Sequence, residues 1–493
     1  MADNPGDASK SPTVTTSKAA PPASREPALA ATDFAGDVGP TSLREAFVSY
    51  IGRVRGGDVG MLPALAGLIV LLIIFANVSD KFLTKTNLAN LMTQAAPIAL
   101  LGMGIVFVLL LGEIDLSAGT ASGVAACTMG IAITNGGNLK SHLGGPTFFL
   151  LVAFMVLAGV VAGWYRIWVA VAFILFGLVI LFTTIGSNSV IAILLSICVG
   201  VGIGVLTGFL VAKIGIPSFV VTLALFLGWQ GVLLQFVGTG ASIDVGGNPF
   251  ILKLESASAA ISPAWGWVIW AIGAGGLMAF SIWRSFRNRA RGLVAEPLPL
   301  VLAKTGTVLV VTGVAVWLLN QNRSLTLLKQ QGIPRIVPVV LVVLLIWTLV
   351  LAKTPFGRHL YAVGGNAEAA RRAGINVLRI RMSAFIISSG MAGLAGVVSA
   401  ARTASIDATS GGGNTLLFAV AAAVIGGTSL FGGKGRVRDA LIGGLVIAII
   451  PNGLGLKPNL PASYNLMITA AVLLAAAAAD ALSRRRARSS GLG

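Results

Sequence analysis

Two carboxylates, Glu113 and Asp115, stand within GEIDLSAG (Gly112 to Gly119), between two apolar runs. An ionisable group near hydrocarbon is costly, so both must face protein, water or a headgroup boundary. Such carboxylates can gate a path, or hold a proton or sodium ion in a secondary transporter. The plainer alternative puts them at the inner membrane boundary, where Asp115 or Ser117 caps the next helix. Thr222 and Gln230 lie in GIPSFVVTLALFLGWQG (Gly215 to Gly231). They either line a path for a polar substrate or join helices by hydrogen bonds, the commoner role of such side chains. Glu113, Asp115, Ser117, Thr222 and Gln230 are the candidate pathway or gate positions.

A third stretch, GGTSLFGGKGRVRD (Gly426 to Asp439), invites comparison with a phosphate loop and fails it. Thr428 stands where the first glycine is required before Gly433-Lys434, and Gly435 replaces the metal-binding Ser or Thr. No other stretch supplies a Walker A sequence, so ATP, if it drives this protein, is hydrolysed by another chain. Cys127 and Cys198 fall within apolar runs, and His142 and His359 are far apart with no cysteine nearby. Neither a disulfide framework nor a metal site is readable, and the chain itself is expected to bind no cofactor.

The most polar island between apolar runs is Lys353 to Arg381, KTPFGRHLYAVGGNAEAARRAGINVLRIR. Asn366 suits an N-cap and Glu368 a first helical turn, where a negative charge complements the dipole. Arg371 and Arg372 follow Glu368 within pairing reach, and Gly374 supplies a left-handed stop. The pattern predicts a helix over Asn366–Ala373. Two turns are not stable alone in water, so this helix should dock onto something.

These stretches are positioned by a membrane bundle. The chain has 493 residues, of which 56% are hydrophobic and 11% charged, and its mean hydropathy is +0.90. That excludes an ordinary soluble domain and predicts an all-α polytopic bundle. About fourteen apolar runs between Met61 and Leu482 are long enough to span or nearly so, which gives about 12–14 spans. The net charge of +18 follows short inter-run segments rather than an aromatic-interleaved basic domain, so it reads as positive-inside bias and not as nucleic-acid binding. With the N-terminus inside, Arg166, Lys213, the Arg284–Arg291 cluster, the 353–381 loop, Lys434–Arg438 and Arg484–Arg488 all fall inside. Both termini are therefore expected in the cytoplasm.

Residues 1–41 read as a disordered tail. Residues 42–60 read as an amphipathic helix on the inner surface, opened by the capping box Ser42-Leu-Arg-Glu45, or as a simple basic flank to the first span. Residues 61–482 form the transmembrane domain, and 483–493 a basic cytoplasmic tail. The first apolar run begins too far into the chain for a secretory signal.

LLGEIDLSAG (Leu110 to Gly119), VAKIGIPSFVVTLA (Val211 to Ala224), TPFGRHLYAVGGNAEAARRAGI (Thr354 to Ile375) and AVIGGTSLFGGKG (ending at Gly435) resemble the permease subunits of monosaccharide ABC importers. Within the ribose/xylose/galactose branch, the likeness is greatest to xylose permeases. It covers most of the chain from Met61 to Leu482. It implies a homodimeric multi-pass channel of the bacterial inner membrane, with an ATP-binding subunit on the cytoplasmic face and an extracytoplasmic sugar-binding protein on the other. It also implies that Gly357, Arg358, Gly364, Gly365, Asn366, Glu368 and Arg371 belong to a loop that couples to the ATPase, which binds the ATP. The chain departs from the family at Leu416, Leu417 and Phe418, where many members carry Glu-Leu-Asp, and in an apolar segment from Thr147 to Ile185 that looks inserted.

Two other classes remain open at this stage. An ion-coupled secondary transporter would use the membrane carboxylates without an ATPase. An ABC permease for branched-chain amino acids would keep the partners and change the cargo.

Overall fold

The computed structural model describes residues 61–489 apart from 256–259, 293–295, 325–328, 458–460 and 462, with a few positions between 44 and 52. The expected tail 1–41 and most of the amphipathic stretch 42–60 lie outside the described residues.

Helices follow the apolar runs. The first are α1 (Leu62–Val78), α2 (Lys85–Leu109), α3 (Ala118–Thr134), α4 (Leu139–Trp164), α5 (Trp168–Phe182), α6 (Ser189–Ile214) and α7 (Ser218–Val237). A short strand β1 (Ser242–Asp244), helix α8 (Pro249–Glu255) and strand β2 (Ala260–Ile261) precede the hairpin of α9 (Pro263–Ala290) and α10 (Leu298–Leu319). Then come β3 (Ile333–Pro334), α11 (Ile336–Lys353), α12 (Pro355–Gly365), α13 (Ala367–Arg372) and α14 (Val377–Thr403). The chain ends in β4 (Ser405–Asp407), α15 (Thr415–Ile425), α16 (Val437–Gly455) and α17 (Ser463–Ser489). Among the described residues, 9 helices are long and apolar enough to cross a membrane, with five shorter apolar helices beside them. The protein is an all-α polytopic bundle. The helix α17 continues through the expected basic tail as far as Ser489.

Small residues set the centre. Along α6 and α14, Gly200, Gly204 and Gly208 face Ser389, Ile386 and Met382. A side chain at Gly204 would meet the Ile386 Cα at 2.5 Å, so the two backbones touch, the close approach that glycines four apart permit. The Ser196 hydroxyl donates to the Gly393 carbonyl at 3.1 Å across the same seam. Helices α2, α6, α14 and α16 are the most enclosed spans, whereas α4, α7 and α9 to α11 turn most of their apolar surface outward. In a bilayer that surface meets lipid. The segment that looked inserted forms the hairpin α4–α5, which packs on α6 with Gly177 against Cys198.

One apolar run does not span. The stretch read from sequence as Leu416–Leu430 is helical only over Thr415–Ile425, about 16 Å long at the α-helical rise and so about half the hydrocarbon thickness. The chain reaches its start without helix. After β4 pairs antiparallel with β1, with Ile243 opposite Ile406, residues 408–414 run along α3. Gly123 faces the Ser410 carbonyl and Gly119 faces the Gly411 carbonyl. Broken helices of this kind survive at membrane depth only where protein or a polar cavity covers the exposed backbone.

Candidate functional site: a basic junction and a polar cavity

The predicted helix over Asn366–Ala373 is α13. The Asn366 side chain accepts the Ala369 N–H at 2.9 Å. Glu368 pairs with Arg371 and with Arg372, each at 3.3 Å. Gly374 takes the left-handed conformation at φ 82°. Ala370 is buried, while Glu368, Arg371 and Arg372 are exposed. Solvent-facing pairs such as these contribute little stability, so this surface is held ready rather than locked. A cleft of about 370 Å³ opens beside it, lined by Ala212, Arg371, Asn376 and Arg381 among others.

Ahead of α13, the expected 353–381 loop contains a further helix, α12. Thr354 caps it by accepting the Gly357 N–H at 3.3 Å, and Pro355 occupies its first turn. This helix brings three separate motifs together. The Gly364 Cα lies against the Leu110 carbonyl and the Gly433 N–H, leaving no room for a side chain. Gly433 donates its N–H to the Leu110 carbonyl at 2.9 Å, and the Tyr361 hydroxyl donates to the Gly435 carbonyl at 2.7 Å. Gly357 packs on the Leu351 carbonyl, whereas Gly365 has open space where a side chain would stand and Arg358 is exposed. Of the seven coupling candidates, Gly364 is therefore the one embedded in the junction.

Beyond Leu110 lie the membrane carboxylates. Asp115 is fully buried. Its carboxylate accepts the Ser117 N–H at 3.1 Å and the Ser117 hydroxyl at 2.7 Å. It also accepts the Ser388 hydroxyl, on α14, at 2.9 Å. Glu113 faces Arg381 at 3.6 Å. Ile114, between them, accepts the Thr222 hydroxyl at 3.3 Å and donates its N–H to the Ser218 hydroxyl at 3.4 Å. Glu113, Asp115, Ser117 and Thr222 thus gather into one clasp holding the α2–α3 connection to α7 and α14. Gln230 sits elsewhere, near Gly412. Removing the Asp115 carboxylate strands three buried donors. Asp115→Ala is expected to destabilise the fold by on the order of 3 kcal/mol, read as a lowered thermal unfolding midpoint in detergent.

Above the clasp lies a cavity of about 200 Å³, mostly apolar with a polar side, lined by α2, α3, α14, α15 and α16. Its polar walls come from Gln94, Ser122, Ser399, Arg402, Thr403 and Thr415, and Phe418 is on its apolar side. None of these positions follows from the sequence motifs. Signals were present all the same: Arg402 ends an apolar run on the side where cations are scarce, and a Gly-rich break precedes Thr415. The side chains of Gln94, Ser399, Arg402 and Thr415 make no hydrogen bond to any described residue. The cavity combines these few polar groups with a larger apolar wall and is small, since drug-sized ligands need roughly 300–1,000 Å³. Among the described residues, no carboxylate lines the cavity. Among the described residues no cluster of potential ligands could hold a metal ion, and Cys127 and Cys198 are free and buried.

A bundle of apolar spans, with a broken helix lining a small cavity on one side and a basic, helix-presenting junction on the other, is a polytopic membrane protein. The chain belongs to the family described as the branched-chain amino acid transport system permease component, whose model matches residues 167–477. Sugar permeases are among its relatives. The xylose transport system permease protein XylH of Escherichia coli (strain K12) is 30% identical over 426 residues, 86% of this chain and 92% of its own. The ribose import permease protein RbsC of the same strain is 27% identical over 85% of this chain and 92% of its own. The D-allose transport system permease protein AlsC, also of that strain, is 44% identical over 154 residues, 31% of this chain and 46% of its own. No solved structure matches the chain. The motif resemblance and these similarities agree on an ABC permease, a multi-pass protein of the inner membrane.

Proposed function

We propose that this chain forms the translocation path of an ATP-driven monosaccharide importer, working as a homodimer with a separate ATPase on its basic face and an extracytoplasmic sugar-binding protein on the other. In this reading the basic end and both termini face the cytoplasm. The single observation that carries it is the convergence of Leu110, Gly364 and Gly433 at the foot of the half-helix α15. The foot of α15 continues into the 426–436 loop at the junction, and its head, at Thr415 and Phe418, lines the cavity. A push on α13 therefore has a short, rigid route to the chamber. Closure of the ATPases on ATP would move α13 and α12, tilt α15, and open the chamber alternately to the two sides. The chain's own groups supply hydrogen bonds to the cargo and the stiff linkage; the free energy comes from the partner.

Xylose is the leading cargo because xylose permeases are among the relatives. An ion-coupled mechanism is disfavoured because Asp115 is spent on three donors and Glu113 faces Arg381.

Vesicles holding the permease, its ATPase and its binding protein test the proposal with labelled xylose, ribose and leucine. Wild-type vesicles are expected to import a sugar with ATP and to be insensitive to an uncoupler. Glu368→Lys with Arg371→Glu should cut uptake at least tenfold and loosen ATPase copurification, while leaving the bundle folded because both residues are exposed. Undiminished uptake in that variant would remove α13 from the mechanism, and import of leucine alone would change the cargo.

A further inference from the structure

Glu255 ends α8, a seven-residue helix that packs on α14 outside the spans. It is only 4% exposed, and among the described residues neither carboxylate oxygen has a hydrogen-bond partner. A buried polar group left this way costs free energy, and such groups ask for an explanation. The charge that acts on it is Arg402, on the last turn of α14. Arg402 lines the polar cavity, and among the described residues it makes no ion pair within 4.0 Å.

We propose that Glu255 is a positioning residue for the cavity: Arg402 alternates between a free position at the chamber wall and a pair with Glu255 that draws it aside. The proposal rests on the reading of the cavity as the transport path. The structure shows the unpaired arrangement. A lone carboxylate in an apolar seat stays neutral, and burial pushes the Glu255 acid up to about 9 while Arg402 opposes that shift. Neutral Glu255 releases Arg402 to donate to a ligand oxygen. When Glu255 ionises it needs a partner, and Arg402 is within electrostatic reach. Breaking the pair would again leave a buried carboxylate uncompensated, so the paired arrangement would hold.

Other ionisable groups nearby are engaged or turned away. Lys253 on α8 itself is exposed. On the adjoining β1–β4 ribbon, Asp244 accepts the Gly246 N–H at 2.7 Å, and hydrogen bonds from Thr409 and Ser410 hold Asp407 below the usual carboxylate range. The core that α8 packs on adds the thiols Cys127 and Cys198, both buried. Because α8 lies on the side opposite the basic junction, anything that lifts or seats it sets whether the pair can form.

The position of Arg402 can be read without any sugar. In the full-length chain carrying Ser399→Cys, a membrane-impermeant maleimide is expected to label the cavity thiol at a rate that steps as external pH passes about 9, beyond the smooth rise from thiol ionisation. Adding Glu255→Gln, or Arg402→Gln, should leave only the smooth rise. In vesicles with ATPase and binding protein, the apparent KM for labelled xylose should climb at least threefold across the same pH range in the wild type and stay level in Glu255→Gln. A step that persists in either glutamine variant, or is absent from the parent, overturns the proposal. Wild-type vesicles that import no sugar while the labelling step appears and vanishes as expected would instead overturn the transport reading and keep the switch.

Discussion

Replacing Gly364 with valine is expected to abolish uptake while leaving the chain inserted in the membrane. The Gly364 Cα lies on the Leu110 carbonyl and the Gly433 N–H, both backbone groups. Overpacking against flexible side chains is relieved by rotamer changes, but backbone cannot yield in that way, and the cost is on the order of 3 kcal/mol. It falls on the hydrogen bond between Gly433 and Leu110, at 2.9 Å, and so prises α12 away from the foot of α15. Uptake in the vesicle assay should fall more than tenfold, and the thermal midpoint in detergent should drop with it. Gly365→Ala is the matched comparison. No atom lies within 4 Å of the side chain it would add, so its thermal midpoint should stay at the wild-type value. Loss of uptake in that variant would then report on contact with the ATPase and not on the junction.

The adjacent pair of glycines shows what the sequence could and could not reveal. Helix α13 was legible because its determinants are local: an Asn cap, an acid in the first turn, two arginines within reach, and a glycine stop lie in one ten-residue window. Helix α12 was as local, with Thr354 as cap and Pro355 in the first turn, but its glycines at 357, 364 and 365 made the stretch read as loop. Those glycines are not equivalent. Gly357 allows a local backbone contact with Leu351, whereas Gly364 allows one with Leu110, which is tertiary information no local pattern carries. The meeting of Leu110 with Gly364 and Gly433 joins segments more than two hundred residues apart, and only the fold brings them together.

The carboxylates teach a related point. Composition gave the rule that Glu113 and Asp115 must find partners, and it left a gate, an ion site and a helix cap all open. The structure supplies the partners. Three donors converge on Asp115, one of them from α14, and so tie the α2–α3 connection to that span. The cavity residues were hidden for the opposite reason. Gln94, Ser122, Ser399 and Thr415 stand singly on four helices, each a tolerable polar residue in a span, and they signify only when the bundle places them around one space.

Filling that space is the direct test of what it is for. Ser399→Trp puts an indole into a chamber of about 200 Å³, which it would largely occupy. The native Ser399 hydroxyl makes no hydrogen bond to a described residue, while its backbone carbonyl, which accepts from Thr403 at 3.1 Å, is untouched by the substitution. The change therefore strands no buried partner. Uptake of labelled xylose is expected to fall at least tenfold, with copurification of the ATPase and its ATP hydrolysis kept. That combination separates the path from the coupling machinery, because Gly364→Val loses uptake through the junction and should lose the link to hydrolysis as well. Ser399→Ala supplies the graded partner: it removes one hydroxyl from the wall, leaves the volume open, and should raise the apparent KM for xylose several-fold with little change in the maximal rate. If Ser399→Trp imports sugar at the wild-type rate, the route runs outside this chamber, along a surface that a single copy of the chain does not enclose.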